Sequence, residues 1–238
     1  MRTIALAAVI GVGLTVGGVA LAGPFTDAQG RVNFNSPFSA MDPPTHSATQ
    51  TTVLTFDGSH DCFVIGRVNT VTAGHPAADV IYTTRNPLAA DAWTATANSI
   101  RDFFPQRNAT LTSQSVDTSG VWPVQRAEFG GSANGPVHAA MQSRPGVDLM
   151  AFCQARGGAS TAPFEQLFAS LSHPNDATWQ AEVAQSAAAR AAAAEQAAAQ
   201  QAAQQQQQTQ QGAQAAEDDD DDRRDNSRPS RDPRSRRN

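Results

Sequence analysis

The stretch TLTSQSVDTSGVWPVQRAEFGGSANGPVHAAMQSRPGVDLMAFCQ, residues 110–154, decides the fold. It holds four strand-like runs: Thr110–Val116, Val121–Phe129, Val137–Gln142 and Val147–Gln154. Turn pairs separate them, namely Ser119-Gly120, Gly130-Gly131, Asn134-Gly135 and Pro145-Gly146. Links this short join antiparallel neighbours, because a parallel crossover needs a dozen residues or more. The segment predicts a four-strand antiparallel meander.

Upstream, Arg31–Ser36 alternates and is stopped by Pro37, which reads as a first strand. Met41–Gln50 is polar and Pro-rich, a loop. Thr51–Phe56 and Cys62–Val68 read as a hairpin around Asp57-Gly58-Ser59, since Asp-Gly favours the positive dihedrals of tight turns. Asn86-Pro87 predicts the start of a helix, with Asn as cap and Pro at the first helical position. Its apolar face is Leu88, Ala92, Trp93, Ala97, Ile100, Phe103 and Phe104, and Pro105 ends it. After the meander, Pro163 opens a short helix with Phe164, Leu167, Phe168 and Leu171 on one side. Three strands, a helix, four strands and a helix point to an α+β fold: an antiparallel sheet flanked by helices. An all-β sandwich is the alternative and requires a non-helical Trp93 segment.

This order resembles the PsbP-like α/β/α sandwich, the fold family of PsbP and the Ran-binding Mog proteins. The resemblance covers about residues 30–174. It rests on the opening strand ending in Ser36-Pro37, the Val53–Val68 hairpin, the Trp93–Phe104 helix, the meander and the closing Phe164–Ser172 helix. It implies a non-enzymatic adaptor or accessory module. It is a pattern of elements, so it assigns no functional residue.

The N-terminus bears on compartment. Met1-Arg2 is positive, Ile4–Val19 is an apolar run, and Ala20-Leu21-Ala22 ends it with small residues. That layout predicts a signal peptide over 1–22, cleaved after Ala22, and a periplasmic or extracellular protein. A retained anchor is the alternative, but 16 apolar residues fall short of the ~20 that span a bilayer. The two cysteines, Cys62 and Cys153, sit in strand-like runs, and in an oxidising compartment they are expected to be bonded.

Beyond the domain of residues 23–174, composition changes. Residues 175–211 are rich in Ala and Gln, and Ala's helix propensity predicts a helix from Asp176 to about Ala203. No residue after Val183 is a large apolar one, so the segment cannot build a core. Residues 212–238 read as a disordered tail, acidic from Glu217 to Asp222 and then Arg-rich from Arg223 to Arg237. Net charge is −5, and all 17 cations are Arg.

Candidate chemistry is sparse. The histidines His46, His60, His75, His138 and His173 show no metal-ligand spacing, so no metal site is expected. His60-Asp61 beside Cys62 reads as a solvated hairpin end. Gly130–Gly135 is Gly-rich but precedes no helix, so it is a hairpin loop and not a phosphate cradle. Asn108-Ala109-Thr110 matches a glycosylation sequon by pattern only. Trp93 reads as core, Trp122 beside Pro123 fits either the core or a ligand cleft, and Trp179 reads as a residue that docks the Ala-rich helix onto the domain. No catalytic residue, cofactor or metal ligand is assigned, and the one site-level expectation is the Cys62–Cys153 bond. The reading is an exported, non-enzymatic binding or accessory protein of the bacterial envelope. Its partner is an envelope protein or an anionic surface, and nucleic acid is not expected. Alternatives are an envelope tether acting through the charged tail, and a hydrolase with an unrecognised site.

Overall fold

The computed structural model describes residues 23–225, with side chains through 209. The expected signal peptide and most of the Arg-rich tail lie outside the described residues. The described residues divide into two compact units at Val183/Ala184.

The first unit is built on an eight-stranded sheet. A ribbon of β1 (Pro24–Thr26) and β2 (Asn33–Asn35) precedes it. Then come β3 (Ala40–Met41), β4 (Thr45–His46), β5 (Gln50–Phe56) and β6 (His60–Val68). Helices α1 (Ala77–Thr83) and α2 (Ala90–Ala97) follow. The meander is β7 (Thr110–Asp117), β8 (Val124–Gly130), β9 (Val137–Arg144) and β10 (Val147–Ala155). Helices α3 (Ala162–Ser170) and α4 (Asp176–Asp225) close the order. The main sheet runs β3-β5-β6-β10-β9-β8-β7, with β4 also on β5, and every pairing is antiparallel.

Side-chain alternation splits the sheet into two buried faces. One carries Val53, Cys62, Val64, Leu149, Ala151 and Cys153 against Phe164, Leu167 and Phe168 of α3 and Val32 and Phe34 of the ribbon. The other carries Ile65, Ala127, Phe129, Met150 and Phe152 against Trp93 and Ala97 of α2. A sheet with a helix layer on each face is the α/β/α arrangement, and it removes the all-β alternative.

Several boundaries differ from those the sequence predicts. The ribbon strand β1 and helix α1 are additional, and the expected loop 41–50 holds β3 at its start and β4 near its middle. The expected helix from Leu88 to Phe104 is helical only over Ala90–Ala97. Its start is lost because the buried Gln125 side chain claims the preceding backbone. Gln125 Nε2 donates to the Thr84 and Asn86 carbonyls at 2.6 and 2.9 Å, and its Oε1 accepts the Leu88 amide at 3.0 Å. Ala89, not Asn86, is the cap residue. Past Asn98, i→i+3 bonds such as Ile100 N to Ala97 O replace the α ladder, while Ile100, Phe103 and Phe104 stay buried. The Asp57–His60 turn also differs. Gly58 is not among the positive-φ glycines, and the Asp57 carboxylate holds the turn by accepting the Ser59 and His60 amides at 2.7 and 2.8 Å. Helix α4 runs on through the Gln tract, beyond the expected end near Ala203.

Gly66 of β6 lets the ribbon lie on the sheet. A Cβ there would come within 2.9 Å of Arg31 Cβ, 3.0 Å of Val32 Cβ and 3.1 Å of the Arg31 carbonyl carbon. Two of those atoms are Cβ atoms fixed by backbone, so the ribbon must lift. Gly66→Ala is expected to lower the unfolding free energy by about 1–3 kcal/mol, the range for overpacking. Denaturant unfolding measures it, and an unchanged midpoint would show that the ribbon moves freely.

Candidate functional site

Helix α3 covers only part of its face of the sheet. Beyond it, toward β7, the face is polar and open, and a groove of 210 Å³ lies there. Alternation dictates its lining. Ser113 and Ser115 of β7, Arg126 and Glu128 of β8 and His138 of β9 point the same way, because Ser113 faces Glu128 and Glu128 faces His138 in register. Glu165 and Phe168 of α3 form the other wall. Arg126 Nη1 meets Glu165 Oε2 at 2.8 Å, and its guanidinium lies 5.1 Å from the Phe168 ring centroid. His138 Nδ1 is 3.8 Å from Glu128 Oε2. Arg126 thus faces the Glu165 carboxylate, and Glu128 lies beside the His138 ring. Such pairs can be exchanged for a partner's donors and acceptors, which suits binding through polar groups.

The groove runs beside an open sheet edge. Strand β7 ends the strand order, and six of its eight residues are exposed. It contains no proline, and its one charge is Asp117. The opposite edge is blunted: two strands of two residues each pair with β5, and Pro43-Pro44 lies between them. Short strands and proline are standard protection against edge pairing, and β7 has neither; its one irregularity is a register shift between Leu111 and Ser113, which leaves residues 114–117 in regular register with β8.

A second polar cluster is buried at the junction of α3 and α4. Arg144 is 1% exposed. Its Nε donates to Asp176 Oδ1 at 2.7 Å, its Nη2 to Gln142 Oε1 at 2.8 Å, and its guanidinium lies 4.1 Å from the Trp122 ring centroid. Burial pushes the Arg144 pKa down, and the hydrogen bond and charge of Asp176 oppose that. Trp179 of α4 packs edge-on to Trp122 at 6.2 Å, and Glu182 accepts the first amide of α1, from Ala77, at 3.3 Å. The start of α4 therefore belongs to the first unit, as Trp179 led one to expect.

The remaining singled-out residues fall as follows. Cys62 and Cys153 are bonded, fully buried, and face one another in the β6–β10 register with Cα atoms 4.1 Å apart. That spacing is nearest the closer, non-hydrogen-bonded kind of facing pair. The hairpin end at His60 is not solvated: the residue is 9% exposed and its ring packs against Phe38 and Phe164. Its carboxylate partner is Asp57 at 3.0 Å, whereas Asp61 pairs with Arg156. Burial of Asp57 resists the charge, but the Ser59 amide and the His60 ring and amide together hold its carboxyl below the ordinary value. His46 lies 3.7 Å from Asp27, and His75 is exposed near α1. Among the described residues no three His, Cys, Asp or Glu side chains gather as a metal site. Trp93 is fully buried and Trp122 is 6% exposed. Asn108 donates to the Gly131 carbonyl at 2.8 Å, tying the β8–β9 loop to the start of β7.

No family model matches the chain, and no curated protein matches it in sequence. Among solved structures it is similar to cyanobacterial PsbP (CyanoP) from Synechocystis sp. PCC 6803, with TM-score 0.43 and 14% identity, over 69% of this chain and 98% of that one. It is also similar to a protein from Bacteroides thetaiotaomicron VPI-5482, with TM-score 0.38 and 11% identity, over 66% of this chain and 50% of that one. The order of elements is the α+β one that the sequence implies, an antiparallel sheet flanked by helices. Likeness at this identity concerns the fold and assigns no activity.

Proposed function

We propose that this chain is an exported, non-enzymatic accessory protein that binds a partner of the bacterial cell envelope through the β7 edge. The partner contributes an extended segment, which adds to the sheet as a further strand. One observation carries the reading: β7 is eight residues long and open, with a register shift only near its start, between Leu111 and Ser113, while the other edge is blunted. The polar groove beside it supplies specificity, because side chains of the added strand on that face reach Glu128, Glu165 and Arg126. Export is supported by the charged, apolar and small-residue order of residues 1–22 and by the disulfide, a bond of oxidising compartments.

A photoreactive residue at Gln114 tests this, with one at Tyr82, 76% exposed on α1, as control. In envelope extracts, the Gln114 probe is expected to trap a partner that the Tyr82 probe does not. A synthetic peptide covering the trapped segment is then expected to slow amide exchange along β7. A partner trapped only from Tyr82, or a peptide that leaves β7 exchange unchanged, would exclude edge addition.

A further inference from the structure

We propose that the junction of α3 and α4 is an acid-released latch, in which a proton arriving at His173 Nδ1 unseats the ring and frees the first two turns of α4. The residues are His173-Pro174-Asn175-Asp176, and their hydrogen bonds fix the state of the ring. The Asn175 amide donates to His173 Nδ1 at 3.0 Å. A nitrogen that accepts this bond carries no proton, so the docked ring is neutral, with its proton on Nε2. A proton on Nδ1 would set donor against donor and break the bond. Asn175 is also where α4 begins, since its carbonyl accepts the Trp179 amide at 3.0 Å. The positive end of the helix therefore faces the site that the proton would occupy.

The surroundings decide the direction. His173 is half-buried, and burial is the largest influence, lowering its pKa from the ordinary 6.5. The charged groups acting on it are Asp176 of α4, which favours the proton, and Arg144 of β9, which opposes it. The Gly30 backbone in the β1–β2 turn also favours the proton. Asp176 is already committed, accepting from Arg144 Nε at 2.7 Å and from the His173 amide at 3.1 Å. The Trp179 ring stacks on His173 with centroids 4.6 Å apart. An aromatic face tolerates a cation, so the Nδ1 bond, and not the stack, makes the seat selective for the neutral ring.

The docked form binds fewer protons than the released one. Docking is therefore complete above pH 6.5, the ordinary value for histidine, and weakens as pH falls below it. Release would uncover Trp122 and the Ala77–Ile81 face of α1, which Trp179 and Val183 now cover. Nothing in this device depends on the β7 edge, so either proposal can fail without the other.

The experiment is amide exchange on the full chain from pH 7.5 to 4.5, each amide corrected for its intrinsic rate and referred to β10. Protection of residues 176–183 is expected to fall relative to β10, by at most about tenfold per pH unit, the limit for one proton. His173→Phe keeps an aromatic ring on Trp179 without a titratable nitrogen, and its pH dependence is expected to vanish. An NMR titration of the unaltered chain gives an independent reading. The His173 ring and the Trp179 indole are expected to shift with one midpoint below 6.5. Different midpoints, undiminished pH dependence in His173→Phe, or constant protection down to pH 4.5 would each overturn the latch.

Discussion

Removing the Cys62–Cys153 bond, by Cys62→Ala with Cys153→Ala or by reduction, is expected to lower the unfolding free energy by about 4–5 kcal/mol. The two cysteines are 91 residues apart in sequence. A crosslink over that span takes most of its effect from the unfolded chain, whose freedom it restricts. The native state asks little of the bond, because β6 and β10 are already held by eight other facing residue pairs on either side of the cysteines. The denaturant slope distinguishes this account from a loss of native packing. Without the crosslink the unfolded chain exposes more surface, so m is expected to rise as the midpoint falls. Reduction of the unaltered chain leaves no missing sulfur atoms and separates the crosslink from the small cavity made by the alanines. A loss under about 1 kcal/mol in both would mean that the unfolded chain keeps β6 and β10 together without the bond.

The disulfide was legible because the chain holds two cysteines and a signal-like start, so a single pairing was available. The meander was legible for a similar reason: each strand ends at a Gly or Pro pair that leaves few alternatives. The α2 region shows where periodicity misleads. Leu88 to Phe104 repeats at three and four because those residues share one buried face. Burial on one face continues through turns as well as through helix, and only the side chain of Gln125, distant in sequence, decides where the helix starts. The polar groove left no trace in local spacing, since Ser113, Arg126, His138 and Glu165 come from three strands and a helix. The open edge depends on strand order, which sequence alone does not supply. Arg144 was hidden by its neighbours. It falls between the strand expected to end at Gln142 and the Pro145-Gly146 turn, yet it lies against Trp122 and the start of α4.

Asp176→Ala is expected to cost about 3–5 kcal/mol, the range for stripping one partner from a buried ion pair. Arg144 is enclosed, with its side chain 2% exposed, and Asp176 is its only anionic partner among the described residues. Without that carboxylate the guanidinium keeps Gln142 Oε1, the Ser143 carbonyl and the Trp122 face, none of which carries charge. The same carboxylate accepts the His173 amide, so the junction loses a second bond. The double variant Arg144→Met with Asp176→Ala separates charge from packing. A buried pair replaced by apolar groups of similar volume is often near neutral, so the double variant should regain most of the loss. Equal loss in both would assign the effect to helix docking instead. Truncation after Val183 is the complementary test. It spares Asp176, Trp179, Glu182 and Val183, and removes no large apolar side chain. Stability is expected to stay within about 0.5 kcal/mol, as for surface changes. Stopping at Pro174 would instead delete the Asn175 and Trp179 contacts of His173 along with Arg144's partner, so the two truncations differ by nine residues and by most of the stability that Asp176 and Trp179 supply.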